Sequence, residues 1–321
     1  MKKVVTIDVT DAVGTGDVLR QAVTVCVPDV LQPGDRPVVI FGLPGGGYNR
    51  AYFDLQIDGH HGYSEVDHHL GHGFVFVACD HLAVGDSDVP VKPIADSVVG
   101  AANALVARTI VDGLRAGTID EALPGIEIAA SIGIGQSYGG FVLAICQGDA
   151  GVFDGVGFLG WSGLQTVPPW PETVSLKDVV QQKAGNGLTH PMRPWFHYED
   201  VPEDIVAADL TKEMGSMKAD TAWSTRYMPG GPAVKMDRQP LDPGSVAAES
   251  AAIDVPVMVA CGEIDVVADP WQEPVAYRGS RDVTVAVFPR MAHMHNFASS
   301  RVSLWDRLEI WANGVAATKG R

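Results

Sequence analysis

What most limits the fold of this chain is a series of short apolar runs at residues 38–41, 74–78, 126–132, 156–159 and 255–260, each bounded by polar or glycine-containing sequence. A strand that is apolar at consecutive positions has no face to turn toward water. Such runs belong in a sheet covered on both sides, the usual setting of parallel strands. Parallel neighbours cannot be joined by a tight turn and need a crossover, commonly a helix. Helical patterns fall in the required gaps. Ser64, with Asp67 three residues on, reads as a capped helix start that Gly71 and Gly73 close. Residues 93–114 read as a long helix. Residues 299–316, carrying Val302, Leu304, Trp305, Leu308, Ile310 and Trp311, read as a C-terminal amphipathic helix. Before the first apolar run the pattern alternates instead, at 4–9 and 22–27, as half-buried antiparallel strands do. The expected class is α/β: an open, doubly wound, mostly parallel sheet with antiparallel strands at the N-terminus.

Residues 164–236 break this alternation. They are rich in Pro, Trp and Met and contain a helical piece at 201–210 but no buried-strand run. Trp170, Trp195, Trp223 and Met214 would be costly to leave in water, which argues for an inserted, mainly helical cap over the sheet. The domain expectation is thus a core formed by 1–163 and 237–321, with 164–236 as the cap. Trp195 and Trp223 are the expected substrate-binding residues.

The chemistry concentrates at Gly135-Gln136-Ser137-Tyr138-Gly139-Gly140, which matches Gly-x-Ser-x-Gly between the run at 126–132 and a helical stretch at 141–146. A nucleophile at such a turn is pushed out of the sheet, and glycines on either side avoid clashes with the neighbouring strand and helix. A serine hydroxyl needs a base and an acid that orients the base. Asp265 follows the run at 255–260, and His293 follows a strand pattern at 283–288. Glu263 and Asp269 are competing acids, and His295 is a competing base. A second glycine-rich stretch, Gly42-Leu43-Pro44-Gly45-Gly46-Gly47-Tyr48, follows the run at 38–41 and lacks the Lys-Ser or Lys-Thr of a phosphate-binding loop.

The turn around Ser137, the Gly262-Glu263-Ile264-Asp265 turn and the Phe288-Pro289-Arg290-Met291-Ala292-His293 turn resemble those of α/β-hydrolases over residues 3–161 and 255–316. The resemblance implies Ser137 as nucleophile, Asp265 as acid and His293 as base. It also implies an oxyanion hole built from the backbone N–H of Tyr138 and one from the early glycine loop, where Gly46 is favoured and Gly45 and Gly47 are close alternatives. Proline stands in that loop where the family often has histidine. Residues 80–87 resemble the family's loop before its first long helix and are read as structural.

The expected reaction is acyl transfer from a small, largely apolar ester or lactone to water, with no cofactor. Carbon–carbon bond hydrolysis and acyl transfer to other acceptors share the same constellation, and a ligand receptor with little turnover is the alternative of another class. His60, His61, His68, His69, His72 and His81 lie close in sequence beside Asp58, Asp67 and Asp80, but lack an intervening Glu, so they are read as solvated helix-face residues with no metal. The 23 Lys and Arg against 39 Asp and Glu, a formal charge of −16, argue against a nucleic-acid or anionic-membrane partner. No stretch is read as a membrane span. The four cysteines stand apart in apolar sequence, as buried reduced thiols of a soluble cytoplasmic protein would.

Overall fold

The computed structural model describes residues 1–319 apart from 30, 32–33, 47, 168, 170–195, 210–233 and 236–237. In chain order the strands are β1 (Lys2–Asp8), β2 (Arg20–Cys26), β3 (Val38–Leu43), β4 (Val75–Cys79), β5 (Ile94–Ala95), β6 (Ala130–Gln136), β7 (Gly155–Leu159), β8 (Val234–Lys235), β9 (Val257–Ile264) and β10 (Val283–Ala292). The helices are α1 (Thr10–Val13), α2 (Glu65–Gly71), α3 (Asp96–Ala116), α4 (Tyr138–Ala150), α5 (Glu203–Asp209), α6 (Ala247–Ala252) and α7 (Arg301–Lys319). Eight strands form one sheet in the order β1-β2-β4-β3-β6-β7-β9-β10. The pairs β1–β2 and β2–β4 are antiparallel and the rest parallel, the mixed α/β sheet that the patterning predicts.

The two faces of each central strand feed separate cores, which explains the unbroken apolar runs. Val39 and Phe41 face a cluster with Val99, Val106 and Ile110 of α3 and Phe141 and Ile145 of α4. Val38 and Ile40 face the other cluster, with Val66 of α2 and Leu304, Trp305 and Leu308 of α7. Ser64 caps α2 by accepting the Asp67 N–H at 2.9 Å, as its position predicts. All four cysteines are free and buried.

Three expectations need correction. The strand expected over 126–132 starts at Ala130, because the backbone before it is used elsewhere: Ile126 donates to Leu114 O at 3.0 Å and Ala129 to Pro37 O at 3.0 Å. Apolarity there reflects a loop packed on the core. Second, α3 is long and apolar enough to cross a membrane, with a mean hydropathy of 1.2, although its apolar side chains pack into the core between sheet and solvent. Third, the histidines of α2 are not uniformly solvated. His69 is fully buried and His68 is only 14% exposed in its side chain, because α7 crosses α2 and covers that face.

Most of the expected cap, including Trp170, Trp195, Met214 and Trp223, lies outside the described residues. The parts described nearest the core are tied to it. Thr166 bridges to Val267, and Leu164 O accepts the Gly244 N–H at 2.8 Å, so the two ends of the insertion meet.

Candidate active site

Ser137 sits between β6 and α4 with φ 53° and ψ −120°, a positive-φ conformation that a serine adopts only under constraint. The constraint is close packing of backbone on backbone. A Cβ added at Gly139 would lie 2.1 Å from Leu43 O, and one at Gly135 would lie 2.4 Å from Gly139 O. Glycine at these positions lets α4 start directly against β6 and β3, and that proximity lifts the serine out of the sheet.

Strands β9 and β10 run beyond their apolar cores and deliver the other two groups. Asp265 directly follows β9, and His293 directly follows β10. His293 Nε2 lies 2.9 Å from Ser137 Oγ, and its Nδ1 lies 2.7 Å from Asp265 Oδ1. Asp265 also accepts the backbone N–H groups of Gly262 and Val266, each at 2.8 Å. Its second oxygen lies 2.8 Å from His295 Nε2. Burial alone would push the Asp265 carboxyl up, but His295 and His293, by charge and hydrogen bonding, outweigh it and hold the group well below the usual carboxylate range. An ionised Asp265 requires Nδ1–H on His293, which leaves the Nε2 lone pair for the Ser137 hydroxyl proton.

The competing groups are placed apart from this line. Glu263 accepts the Arg290 N–H at 2.9 Å, and Asp269 accepts the Trp271 N–H at 3.1 Å to cap a short 3-10 turn. His295 contacts Asp265, not the serine.

The early glycine loop borders the elbow. A Cβ added at Gly46 would stand 3.4 Å from Tyr138 Cβ, and one at Gly45 would stand 3.2 Å from Ser137 Cβ; Gly47 lies outside the described residues. The loop is held from below by His81, whose Nε2–H donates to Pro44 O at 2.9 Å. Burial pushes the His81 imidazole down to about 4, only partly opposed by that hydrogen bond, so the ring is neutral at neutral pH. Asp80 beside it is buried under the Arg50 guanidinium and accepts the N–H groups of Arg50 and Asp86 at 2.7 and 2.9 Å, a structural role.

Two residues near the serine escaped the sequence reading. Gln136, the middle residue before Ser137, is buried and donates to the main-chain oxygen of His293 at 3.1 Å, while Gly45 packs against its other end. It ties the elbow, the glycine loop and the histidine loop together. Phe196 stands with its ring centroid 4.8 Å from that of His293, and its oxygen accepts the Met294 N–H at 2.8 Å. A polar residue ending an otherwise apolar strand was the available signal for Gln136; Phe196 carried none.

No protein-family model matches the sequence, and no curated protein matches it. Solved structures do match in fold. An esterase from Thermogutta terrifontis aligns over 98% of this chain and 99% of its own, with a TM-score of 0.65 at 13% identity. A proline iminopeptidase from Mycobacterium smegmatis aligns over 99% and 100%, with a TM-score of 0.63 at 16% identity. An enol-lactonase from Burkholderia xenovorans aligns over 94% and 97%, with a TM-score of 0.59 at 13% identity.

Proposed function

We propose that this chain, an α/β-hydrolase by fold, is a serine hydrolase that cleaves small, largely apolar carboxylic esters or lactones. The observation that carries the reading is the continuous line Ser137 Oγ, His293 Nε2 at 2.9 Å, and His293 Nδ1 to Asp265 at 2.7 Å.

Ser137 attacks the substrate carbonyl while His293 takes its proton, and Asp265 stabilises the imidazolium that results. Negative charge collects on the carbonyl oxygen. The N–H of Tyr138 opens α4, where a helix cannot use its own first donors, and Gly46 stands beside Tyr138 across the turn; the N–H groups of these two residues are the ones we assign to that oxygen. His293 returns the proton to the leaving alcohol, leaving an acyl group on Ser137. Water then attacks the acyl carbon, gives one proton to His293, and releases the acid as that proton goes back to Ser137 Oγ. Removing one oxyanion donor costs about 3 kcal/mol in comparable sites, so the position of the glycine loop bears directly on the rate.

Substrate class rests on the surroundings. The Phe196 ring against His293 gives the leaving-group side an apolar wall, and an esterase and an enol-lactonase share the fold. In this reading residues 164–236, with Trp195 and Trp223, supply further apolar contacts to the substrate.

Covalent labelling with a fluorophosphonate, followed by peptide mapping, tests the nucleophile without knowledge of the substrate. The label should fall on Ser137, and Ser137→Ala should lose about six orders of magnitude in kcat on p-nitrophenyl esters with an unchanged melting temperature. Label on another residue, or near-normal turnover in the variant, ends the proposal.

A further inference from the structure

The covered face between α2 and α7 gathers more ligating side chains than packing requires. His68 and His72 lie four residues apart and so share a face of α2, where His72 caps the C-terminal end. Their ring centroids stand 4.6 Å apart at 89°. From α7, Glu309 reaches both imidazoles, and Asp306 approaches His68. Glu309 Oε1 lies 3.0 Å from His72 Nδ1 and 3.4 Å from His68 Nε2, and Asp306 Oδ1 lies 3.1 Å from His68 Nε2. His68 Nε2 is buried, yet it has no properly aligned hydrogen bond among the described residues, although two carboxylates stand within ion-pair distance.

Those separations have a simple geometric meaning. A tetrahedral ion with bonds of about 2.0–2.1 Å to nitrogen and oxygen sets its ligand atoms about 3.3 Å apart. The observed 3.0 and 3.4 Å from Glu309 to the two imidazoles bracket that edge. The next layer is in place as well: His69 Nδ1 lies 2.8 Å from Glu309 Oε1 and orients the carboxylate, and Glu65 on the far side of His69 accepts the Asn296 amide at 2.8 Å. Two neutral imidazoles and the Glu309 carboxylate are the nitrogen and oxygen donors of that group, and Asp306 beside His68 adds a second negative charge nearby.

We propose that His68, His72 and Glu309, whose ligand atoms all lie within 4.8 Å of one another, form a three-residue binding site for a tetrahedral divalent transition metal of the zinc class, clamping α2 to α7, with water in the fourth position. The mixed nitrogen and oxygen donor set favours zinc, cobalt or nickel over magnesium or calcium, which take oxygen ligands. The residues are separate from Ser137, His293 and Asp265, and the site stands whether or not the hydrolase reading does. Its consequence is structural: the metal joins two helices that cover the same face of the sheet, and a ligand that binds only the folded chain stabilises it.

The test uses the full chain, purified without a histidine tag and stripped with EDTA. Zinc titrated by calorimetry should bind with one high-affinity equivalent. At a free metal concentration 100-fold above Kd the melting temperature should rise by about 5 °C. Cobalt should give the intense visible bands of a tetrahedral site. His72→Ala removes a ligand that is 51% exposed and so leaves the apo fold near its original melting temperature, but it should weaken zinc binding at least 100-fold; Glu309→Gln should do the same. Absence of a zinc-dependent shift, full binding in both variants, or a pale octahedral cobalt spectrum would each overturn the proposal.

Discussion

Gly160 offers the sharpest probe of the proposed triad, because it touches the Asp265–His293 pair without belonging to it. The residue directly follows β7 with φ +58°, and its N–H donates to Ala260 O at 2.8 Å. A methyl group placed there would lie 2.9 Å from Asp265 Oδ1, 3.0 Å from His293 Nδ1 and 3.2 Å from Asp265 Oδ2. Comfortable contacts for carbon are about 3.5 Å, so the pair must retreat by about 0.5 Å. Misplacement of a catalytic group by about 1 Å costs roughly 100-fold, so half that distance should lower kcat about 10-fold. The left-handed backbone adds about 1–2 kcal/mol of strain for alanine, or about 3 °C in melting temperature. Gly151→Ala separates the two effects, since Gly151 has φ +56° with nothing within 4 Å of the added carbon. Both variants should melt lower by similar amounts in circular dichroism, and only Gly160→Ala should lose kcat on p-nitrophenyl butyrate. Equal kcat in the two variants would refute the claim that the pair is held at its working position from this side.

Other outcomes follow from the same geometry. His293→Ala should abolish turnover to the level of Ser137→Ala, whereas His295→Ala removes one of four donors to Asp265 and should lower kcat about 10-fold; a reversed ranking in steady-state kinetics would transfer the base role to His295. Gln136→Leu cuts the tie to the His293 carbonyl and should reduce kcat about 10-fold with KM little changed, while a drop in melting temperature alone would reduce Gln136 to a packing residue. His81 predicts an acid limit. Its folded value of about 4 lies below the ordinary 6.5, so the unfolded chain binds the extra proton first, and stability falls by about 3 kcal/mol as pH drops from 6.5 to 4. Asp265, depressed in the fold, keeps its contribution above its ordinary 3.8 and loses it only below that, so it does not act in the same window. His81→Gln should therefore flatten the slope of urea-derived stability between pH 6.5 and 4, and an unchanged slope would rule His81 out as its source.

The parts of this molecule legible in the sequence are those governed by local pattern. The apolar runs at 38–41, 74–78, 156–159 and 255–260 are strands because a strand covered on both faces has nowhere to place polar side chains, and the pattern states that directly. The same logic misplaced the start of β6, since Ile126 and Ile128 are apolar for the sake of a loop packed on the core. Ser137 was readable because its turn needs glycines nearby in sequence. Asp265 and His293 could be ordered by their strands, but the choice between His293 and His295 depends on which imidazole meets a serine 156 residues away. Gln136, Phe196 and the α2 histidines were illegible for a related reason: each takes its meaning from a partner on a distant element, such as Glu309 for His69.

The junction of Leu164 with Gly244 bears on how such a protein can change over generations. Because the Gly244 N–H meets Leu164 O at 2.8 Å, the chain between those two residues leaves and returns at nearly one point. Lengthening a loop whose ends already meet costs only about 0.6 kcal/mol per doubling. That segment can therefore be extended, shortened or exchanged with little penalty to the sheet, and under the proposed function such exchange would alter substrate preference while Ser137, Asp265 and His293 stay anchored to strands that it never touches.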